Sequence, residues 1–405
     1  MFSRTWKWTA LGAVAVLAAA GCGSSSKSGG GARHTFSVGL LSDITGPGAS
    51  GSSIQGVKAG IVYAKRKGYD IKMYVGDTAT SPGGTLAAAQ KLVQQDHVDV
   101  VISVSALAFT AESYLVSQHI PVVGVAEDGP EWQKLNNWFS VYGAVHPNVV
   151  STFTGTFLKS QGATNLGAVG YGISPSSSEA AQTAAQSAKD AGLRVGYLNA
   201  NFPYGSTDVA PEVIAMKNNG VDSLIATTVP NTALALVTGL HQAGVDLKAS
   251  ILATGYGGDI LTAGAGAIHA AQGVDFEVSF EPVEVNDAAT RQFQSDLRAV
   301  GVTLDPTYFE YAGYLSVGLF VEGLQRAGSN TSSASITSAL QSIHDWDALG
   351  LYGGRTLDIN NRAETSLSPG GSCVWIVKLV GTSFQLIPGA EPVCGTLTGQ
   401  TVASS

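Results

Sequence analysis

Charged residues are scarce in this sequence, and cysteine is nearly absent. Asp, Glu, Lys and Arg make up 13% of the 405 residues, whereas 44% are hydrophobic and only three are Cys. Globular proteins carry about twice that charged fraction, and a disordered chain or a coiled coil is richer still in charge, so neither class fits. A folded protein is therefore expected, and its length favours two lobes.

Basic residues are too few and too scattered for a nucleic-acid interface. The 22 Lys and Arg are outnumbered by 30 Asp and Glu, which gives a net charge of -8. The one basic run, at 65–67, is interpreted as a solvated helix end. Because binding to phosphates needs concentrated Lys and Arg, nucleic acid is not expected as a partner.

The motifs of common enzymes and zinc sites are also missing. The sequence has no Walker loop, no Gly-x-Ser-x-Gly elbow, no His-Glu-x-x-His helix and no Cys-x-x-Cys pair, and its seven His residues show no metal-ligand spacing. These absences argue against the common nucleotide-binding, hydrolytic and zinc classes. No catalytic residue, cofactor or metal is expected.

The first 22 residues resemble a bacterial lipoprotein signal. Arg4 and Lys7 precede an uncharged run of Ala, Val and Leu, which is too short for a membrane span but suits an export signal. Three small residues, 19–21, stand directly before Cys22, the position that such signals cleave and lipidate. The resemblance implies an extracytoplasmic protein held to the cell membrane by lipid on Cys22. The alternative is a buried N-terminal helix.

The two remaining cysteines, Cys373 and Cys394, are 21 positions apart near the end of the chain. In an exported protein oxidation is permitted, and two isolated Cys without nearby His pairs make a poor metal site. We therefore predict a disulfide that pins the C-terminal tail.

Short apolar runs alternate with helix-length segments along the chain. In the first third the runs that predict strands are FSVGLL (36–41), IKMYVGD (71–77), VDVVIS (98–103) and IPVVGV (120–125). The alternation restarts after Gly143, from NLGAVGYG to SILATGYGG. This pattern predicts an α/β protein of two doubly wound lobes, each with a parallel sheet between helices. Ligands bind beyond the carboxyl ends of such strands, so facing lobes would form a cleft.

The run SVGLLSDITGPGASGSSIQGVKAGIVYA resembles the opening of the type I periplasmic solute-binding family. The branch concerned contains the leucine, isoleucine and valine, amide or aromatic-acid receptors of ABC importers. Further matches are AAAQKLVQQDHVDVVIS, HIPVVGV and VDSLIATTVPNTALALVTGLHQAGV, so the resemblance spans about residues 35–390. It implies two lobes on a three-segment hinge that close around a small-molecule solute, with an ABC permease as partner.

The resemblance also implies where the chain crosses between lobes, namely near Gly143, near Phe280 and near Leu349. The expected division is a signal peptide (1–21), the lipidated Cys with a flexible tether (22–34), lobe 1 (35–143 plus 281–348), lobe 2 (144–280 plus 349–395) and a C-terminal tail (396–405).

In lobe 1, the family binds its ligand in the loops that follow the strands. The loop after the third strand contains Ser103, Ser105, Ala106 and Leu107. The Ser that is usual in the family falls at Ala106 or Leu107, so only Ser105, one position away, can supply a hydroxyl to the ligand. This departure weakens the case for an amino-acid ligand. Ser52 ends a Gly-rich turn, 46–52, which lacks the Lys of a phosphate-binding loop and is interpreted as a wall of the cleft.

The loop after the fourth strand contains Ala126, Glu127 and Asp128 where the family has small and hydroxyl residues. If the two acids face the cleft, they favour a cation, an amine or a polyhydroxyl ligand. The alternative is that both cap the next helix or face water. Trp132 follows this loop and is a candidate for the pocket wall, whereas Trp138 is expected to pack at the hinge.

In lobe 2 the ligand positions of the family fall near 171–176, near 227–231 and at Tyr256. Tyr256 stands where amino-acid receptors often have an acid for the ammonium, and it could stack on or hydrogen-bond to a ligand instead; the alternative is packing beneath the loop. Tyr308, Tyr311 and Tyr314 share one side of a helix and are interpreted as packing. The candidate ligand-binding residues of this lobe are Tyr171, Ser174, Thr227, Thr228, Asn231 and Tyr256.

Two other functions stay open at this point. A sensory lipoprotein would use the same cleft to report a ligand to a signalling partner, without a transporter. An extracytoplasmic enzyme would use Glu127 and Asp128 as an acid and a base.

Overall fold

The structure of the protein is a computed structural model that describes residues 34–126, 129–143, 145–362 and 372–403. The predicted signal peptide, Cys22, Glu127 and Asp128 lie outside these residues. The chain begins with alternating strands and helices: β1 (Thr35–Ser42), α1 (Ser53–Arg66), β2 (Asp70–Asp77), α2 (Pro82–Gln94), β3 (Val100–Val104), α3 (Glu112–Ser117), β4 (Val122–Gly124), α4 (Glu131–Lys134) and β5 (Trp138–Ser140).

The alternation continues through the middle of the chain. Its elements are β6 (Val149–Ser151), α5 (Phe153–Ser160), β7 (Asn165–Tyr171), α6 (Pro175–Asp190), β8 (Arg194–Phe202), α7 (Ala210–Asn218), β9 (Ser223–Thr227), α8 (Pro230–Gln242), β10 (Ala249–Leu252), α9 (Gly258–Thr262), α10 (Ala265–Ala270) and β11 (Asp275–Val278). Three helices and four strands then follow: α11 (Ala288–Ala299), α12 (Tyr308–Ala327), α13 (Ser333–Gln341), β12 (Ser372–Val380), β13 (Ser383–Ile387), β14 (Val393–Gly395) and β15 (Leu397–Thr401).

The first sheet is parallel, with the strand order β2-β1-β3-β4-β5. Its central strand β3, VVISV, is buried at every position, as expected where helices cover both faces. Helix α12 begins with a capping box formed by Thr307 and Glu310 and packs closely against α1. Gly56 makes this approach possible, because an added Cβ there would lie 2.3 Å from the carbonyl oxygen of Glu310.

The second sheet has the order β13-β12-β11-β10-β9-β7-β8, with β14 paired to β12. Strands β7 to β11 are parallel, whereas β12 and β13 run antiparallel at one edge. The β12–β14 pair places Cys373 directly opposite Cys394, and the two form the predicted disulfide. β15 pairs with β6 beside this sheet and fastens the C-terminal segment.

The predicted fold class, α/β with parallel sheets, is confirmed. Both sheets belong to one compact unit that begins at His34. The crossings near Gly143, Phe280 and Leu349 stay predictions. In the parts of the chain that the structure describes, no helix is long and apolar enough to cross a membrane.

Candidate functional site

A cavity of about 270 Å³ lies at the carboxyl ends of the strands of both sheets. Asp43, Ala106 and Ala126 follow β1, β3 and β4 of the first sheet and line one side. Tyr171 and Thr227, at the ends of β7 and β9, line the other side. This is the edge at which doubly wound sheets bind ligands, and the volume is near the lower end for small-molecule pockets.

The walls are rich in aromatic rings and poor in charge. Among the described residues that line the cavity, the only carboxylic acids are Asp43 and Glu277 and the only imidazole is that of His146; no Lys or Arg lines it. The Nε2 atom of His146 lies 2.9 Å from the backbone carbonyl of Arg362. The aromatic side chains of the wall are Tyr142, Phe153, Tyr171, Tyr204, Tyr308 and Phe309.

Asp43 is fully engaged by hydrogen-bond donors. Its side chain is 7% exposed, and both carboxylate oxygens accept bonds from the first sheet and from the second. The donors are the hydroxyl of Thr78, the hydroxyl of Ser105 at 2.6 Å, the backbone N–H of Ala106 at 3.1 Å and the hydroxyl of Tyr204 at 2.9 Å. Asp43 therefore organises the loops of the cavity mouth and has little capacity left for a ligand.

The loops of the two sheets touch at this mouth. Gly205, which follows Tyr204, has φ of +64° and lies against the backbone of Pro47 in the Gly-rich turn. A Cβ added to Gly205 would lie 2.3 Å from the carbonyl carbon of Pro47, so only Gly permits this approach. Together with the bond from Tyr204 to Asp43, this contact defines a closed arrangement.

Glu277 lies near the end of β11, in the part of the cavity that reaches between the second sheet and helices α5 and α6. Ile251 pairs with Asp275, two residues before Glu277, so Ile251 and Glu277 share one face of the sheet. That face packs against Phe153 of α5 and Ala184 of α6. Glu277 lines this part of the cavity, and burial raises the pKa of its carboxyl to about 7.

The polar groups of Tyr171 and Thr227 are already engaged within the protein. The hydroxyl of Tyr171 donates to Oγ1 of Thr232 at 2.7 Å and accepts from the N–H of Val229 at 3.1 Å. The hydroxyl of Thr227 donates to backbone carbonyls, including that of Ser177 at 2.9 Å. These residues therefore offer the cavity their rings and methyl groups rather than free donors.

The structure brings together six of the candidate residues that were proposed from sequence. The six that line the cavity are Ala106, Ala126, Tyr171, Ser174, Thr227 and Thr228. Ser174 also caps α6 by accepting a bond from the N–H of Ser177.

Five other candidates lie away from the cavity wall. Ser103 and Leu107 are buried beside the first sheet, and the hydroxyl of Ser105 donates a hydrogen bond to Asp43. Asn231 is exposed on α8. Ser52 faces a separate depression, where its hydroxyl lies 3.0 Å from that of Thr307.

Two aromatic candidates also lie in the core rather than in the wall. Trp132 is fully buried, and its ring meets that of Trp138 edge to face at 4.9 Å between centroids. Tyr256 packs on Phe384 and donates its hydroxyl to Glu284 at 2.7 Å. Both rings therefore pack inside the protein. For Tyr256 this is the alternative of packing beneath the loop, whereas Trp132 was a candidate for the pocket wall.

The reasoning from sequence missed several residues of the wall. Asp43 directly follows β1, and Tyr204 lies two residues after β8, in loops of the kind that contain Ala126. Nothing in the sequence indicated that Tyr204 contacts a loop of the first sheet. Glu277 carries a signal of its own, since it is one of two acids, with Asp275, in a short strand whose other residues are apolar. Tyr308 was interpreted as packing with Tyr311 and Tyr314; the latter two are buried against Phe293, whereas Tyr308 lines the cavity.

Comparison with known proteins agrees with this geometry. The model of a family described as periplasmic binding protein matches residues 35–382. No curated protein matches the sequence. One similar solved structure is an ABC transporter solute binding protein from R. palustris in complex with 4-hydroxybenzoate, with 16% identity, coverage of 90% of this chain and 98% of that chain, and a TM-score of 0.72.

Two further solved structures are similar to the same extent. A branched chain amino acid ABC transporter protein from Thermus thermophilus with bound valine has 16% identity, covers 89% of this chain and 97% of its own, and has a TM-score of 0.71. A branched-chain amino acid transporter substrate binding protein from Streptococcus pneumoniae in complex with isoleucine has 17% identity, covers 89% and 99%, and has a TM-score of 0.71. At these identities the likeness shows a shared fold.

Proposed function

Because this chain belongs to the periplasmic binding protein family, we propose that it captures a small solute in the cavity between its two sheets and delivers it to an ABC importer. The observation that carries the proposal is the cavity itself, which lies at the carboxyl ends of both sheets and is closed by the contact of Tyr204 with Asp43. The solved relatives bind valine, isoleucine or 4-hydroxybenzoate, which supports a solute of that size. In this proposal the chain performs no chemistry on the solute.

The place of action that we propose is the outer face of the cell membrane. The family supports a periplasmic or extracytoplasmic protein, and the sequence up to Cys22 supports export followed by lipidation. A Cys22→Ala variant is then expected to leave the membrane fraction and to lose incorporation of labelled fatty acid. If the variant stays lipidated and membrane-bound, the anchor is elsewhere.

The binding proposal is tested by thermal unfolding of the purified protein with a panel of amino acids, amides, aromatic acids, amines and sugars. A ligand present at 100 times its dissociation constant adds about 2.7 kcal/mol to the free energy of unfolding, which is readily measured. A panel in which nothing raises the melting temperature contradicts solute binding.

The transport step needs a separate measurement. Deletion of the gene should abolish uptake of the radiolabelled ligand by whole cells, and the restored gene should return it. Binding in vitro without any change in uptake would move the assignment to a sensory receptor. Turnover of the ligand by the purified protein would overturn the proposal of a non-catalytic receptor.

A further inference from the structure

Glu277 is the one carboxylate of the cavity wall, among the described residues, that has no partner within the protein. Asp43, the other acid, accepts four hydrogen bonds, whereas no hydrogen bond or ion pair reaches the side chain of Glu277 from the described part of the chain. On the sheet face around it, Ile225 and Ile251 are apolar, and the nearby cation, Lys378, is paired with Asp275 at 3.3 Å.

An ionised carboxylate in such surroundings is unstable without a compensating charge. Withdrawal from water without a hydrogen-bonded counter-ion costs several kcal/mol, and it is met by protonation or by a cation. No Lys or Arg lines the cavity among the described residues, so the protein supplies no such cation there. A bound solute is the remaining source.

The rest of the wall suits the body of an organic cation. The rings of Tyr142 and Tyr308 lie nearly parallel, with centroids 6.4 Å apart, and those of Tyr171 and Tyr204 lie 4.8 Å apart. Aromatic faces attract both apolar groups and cations. A solute with a negative group next to Glu277 would be repelled.

On the basis of the function proposed above, we propose that Glu277 binds a protonated amine nitrogen of the solute, in the extension of the cavity between the second sheet and helices α5 and α6. The solute is thus an amine with an apolar or aromatic body. The amine belongs either to a compound without a carboxylate or to an amino acid, and the experiment below separates these two sources.

Titration of Glu277 makes the proposal measurable. With its pKa near 7 in the empty cavity, the carboxyl must lose its proton before it can pair with an amine, so affinity should rise about tenfold between pH 6 and pH 8. The charged groups on the surrounding elements are the Asp275–Lys378 pair on β11 and β12, Glu179 on α6 and His146 in the wall. None of them is a cause of the shift, which comes from burial alone.

The test measures binding by calorimetry with matched probes. Phenethylamine, tyramine and isopentylamine are compared with phenylalanine, tyrosine and leucine, and with 3-phenylpropanoate and 4-methylpentanoate, which lack the amine. The simple amines or the amino acids should bind, and the acids without an amine should not. Tighter binding of the simple amines or of the amino acids identifies which kind of solute supplies the amine.

Variants then assign the contact to Glu277. Glu277→Gln should weaken amine binding at least tenfold at pH 8 and remove the dependence on pH between 6 and 8. Glu391→Gln is the matched control, because that side chain is 92% exposed.

The outcomes separate this proposal from the general function. If another solute class binds tightly and Glu277→Gln leaves its affinity and pH profile unchanged, the protein is a receptor but the amine site is wrong. Unchanged amine affinity in Glu277→Gln would overturn the amine site in the same way. If no probe and no member of the wider panel binds, the proposed function itself fails.

Discussion

The hydroxyl of Tyr204 lies 2.9 Å from Oδ2 of Asp43 and donates to it, although 161 residues separate the two along the chain. Tyr204 follows β8 of the second sheet, and Asp43 follows β1 of the first. This hydrogen bond is therefore a latch between the two halves at the mouth of the cavity. We expect it to contribute to ligand binding rather than to the stability of either sheet, because it joins loops of different sheets.

Removal of the latch should weaken ligand binding without unfolding the protein. A hydrogen bond to a charged group contributes about 1.5–3 kcal/mol, so Tyr204→Phe should raise the dissociation constant about tenfold or more. Calorimetry measures the affinity, and small-angle scattering should show a larger radius of gyration. The control is Tyr197→Phe. Tyr197 lies on β8, and its hydroxyl lies 3.4 Å from Oε1 of Glu212, within the same sheet-and-helix layer and away from Asp43. Equal affinity in both variants would contradict the latch.

A methyl group at Gly205 should hold the two halves apart. Its Cβ would lie 2.3 Å from the carbonyl carbon of Pro47, and only separation of the loops relieves that clash. We expect Gly205→Ala to lose at least tenfold in affinity, with about 1 kcal/mol lost from the free energy of unfolding because φ is positive.

Gly220 provides a matched control for this substitution. Its φ of +66° is nearly that of Gly205, at +64°, but a Cβ there meets nothing within 4 Å. Gly220→Ala should therefore show the same loss of stability with unchanged affinity. If the two variants bind equally well, the contact between Gly205 and Pro47 plays no part in closure.

Glu277 should lower the stability of the ligand-free protein at alkaline pH. Its pKa is raised from 4.5 to about 7 in the folded state, so the folded protein holds the proton more tightly than the unfolded chain. The destabilisation is absent below about pH 4.5, grows as pH rises towards 7, and is complete above that value.

The free energy of unfolding of Glu277→Gln should therefore exceed that of the wild type at pH 8 by up to about 3 kcal/mol, and the two should agree near pH 4.5. Urea denaturation at both pH values measures the difference. The exposed Glu391→Gln variant should follow the wild type throughout. A difference that does not depend on pH would mean that packing, not ionisation, distinguishes the variant.

The disulfide should stabilise the C-terminal segment that borders the cavity. Cys373 and Cys394 are 21 positions apart, and closure of a loop of that length is worth about 3 kcal/mol in the chain-entropy model. Reduction with dithiothreitol, or the double substitution to Ala, should lower the melting temperature accordingly. Dithiothreitol should have no effect on the double variant, and an unchanged melting temperature of the reduced wild type would refute the prediction.

Loss of the disulfide should also loosen one wall of the cavity. Cys394 lies on β14, immediately before β15, and β15 contributes Leu397 to the wall while it pairs with β6. Hydrogen exchange in the reduced protein should therefore rise first in β14, β15 and β6.

The strands could be predicted because the hydrophobic pattern of each segment reflects which of its residues are buried. VDVVIS predicted the strand that the structure has at Val100–Val104, since a strand with both faces covered is apolar at nearly every position. Tyr171 and Thr227 were proposed from the family resemblance instead, and the structure places both at strand ends in the cavity wall.

The direction of individual side chains could not be predicted in this way. Trp132 and Tyr256 follow strand ends just as Ala126 does, but each finds an aromatic partner in the core, Trp138 and Phe384 respectively. Because such partners come from distant parts of the chain, local sequence carries no record of them.

By itself the sequence determined the α/β alternation, the parallel sheets and the edge of the sheets at which the cavity lies, because hydrophobic periodicity and the succession of strands and helices are local properties. Only the tertiary structure decided which side chains meet across that edge. The bond of Tyr204 to Asp43 joins loops that are remote in sequence. Glu277 has no partner because no Lys or Arg lines the cavity among the described residues, and Lys378 on the neighbouring strand pairs with Asp275 instead. Both depend on what lies opposite a residue in space, which periodicity does not record.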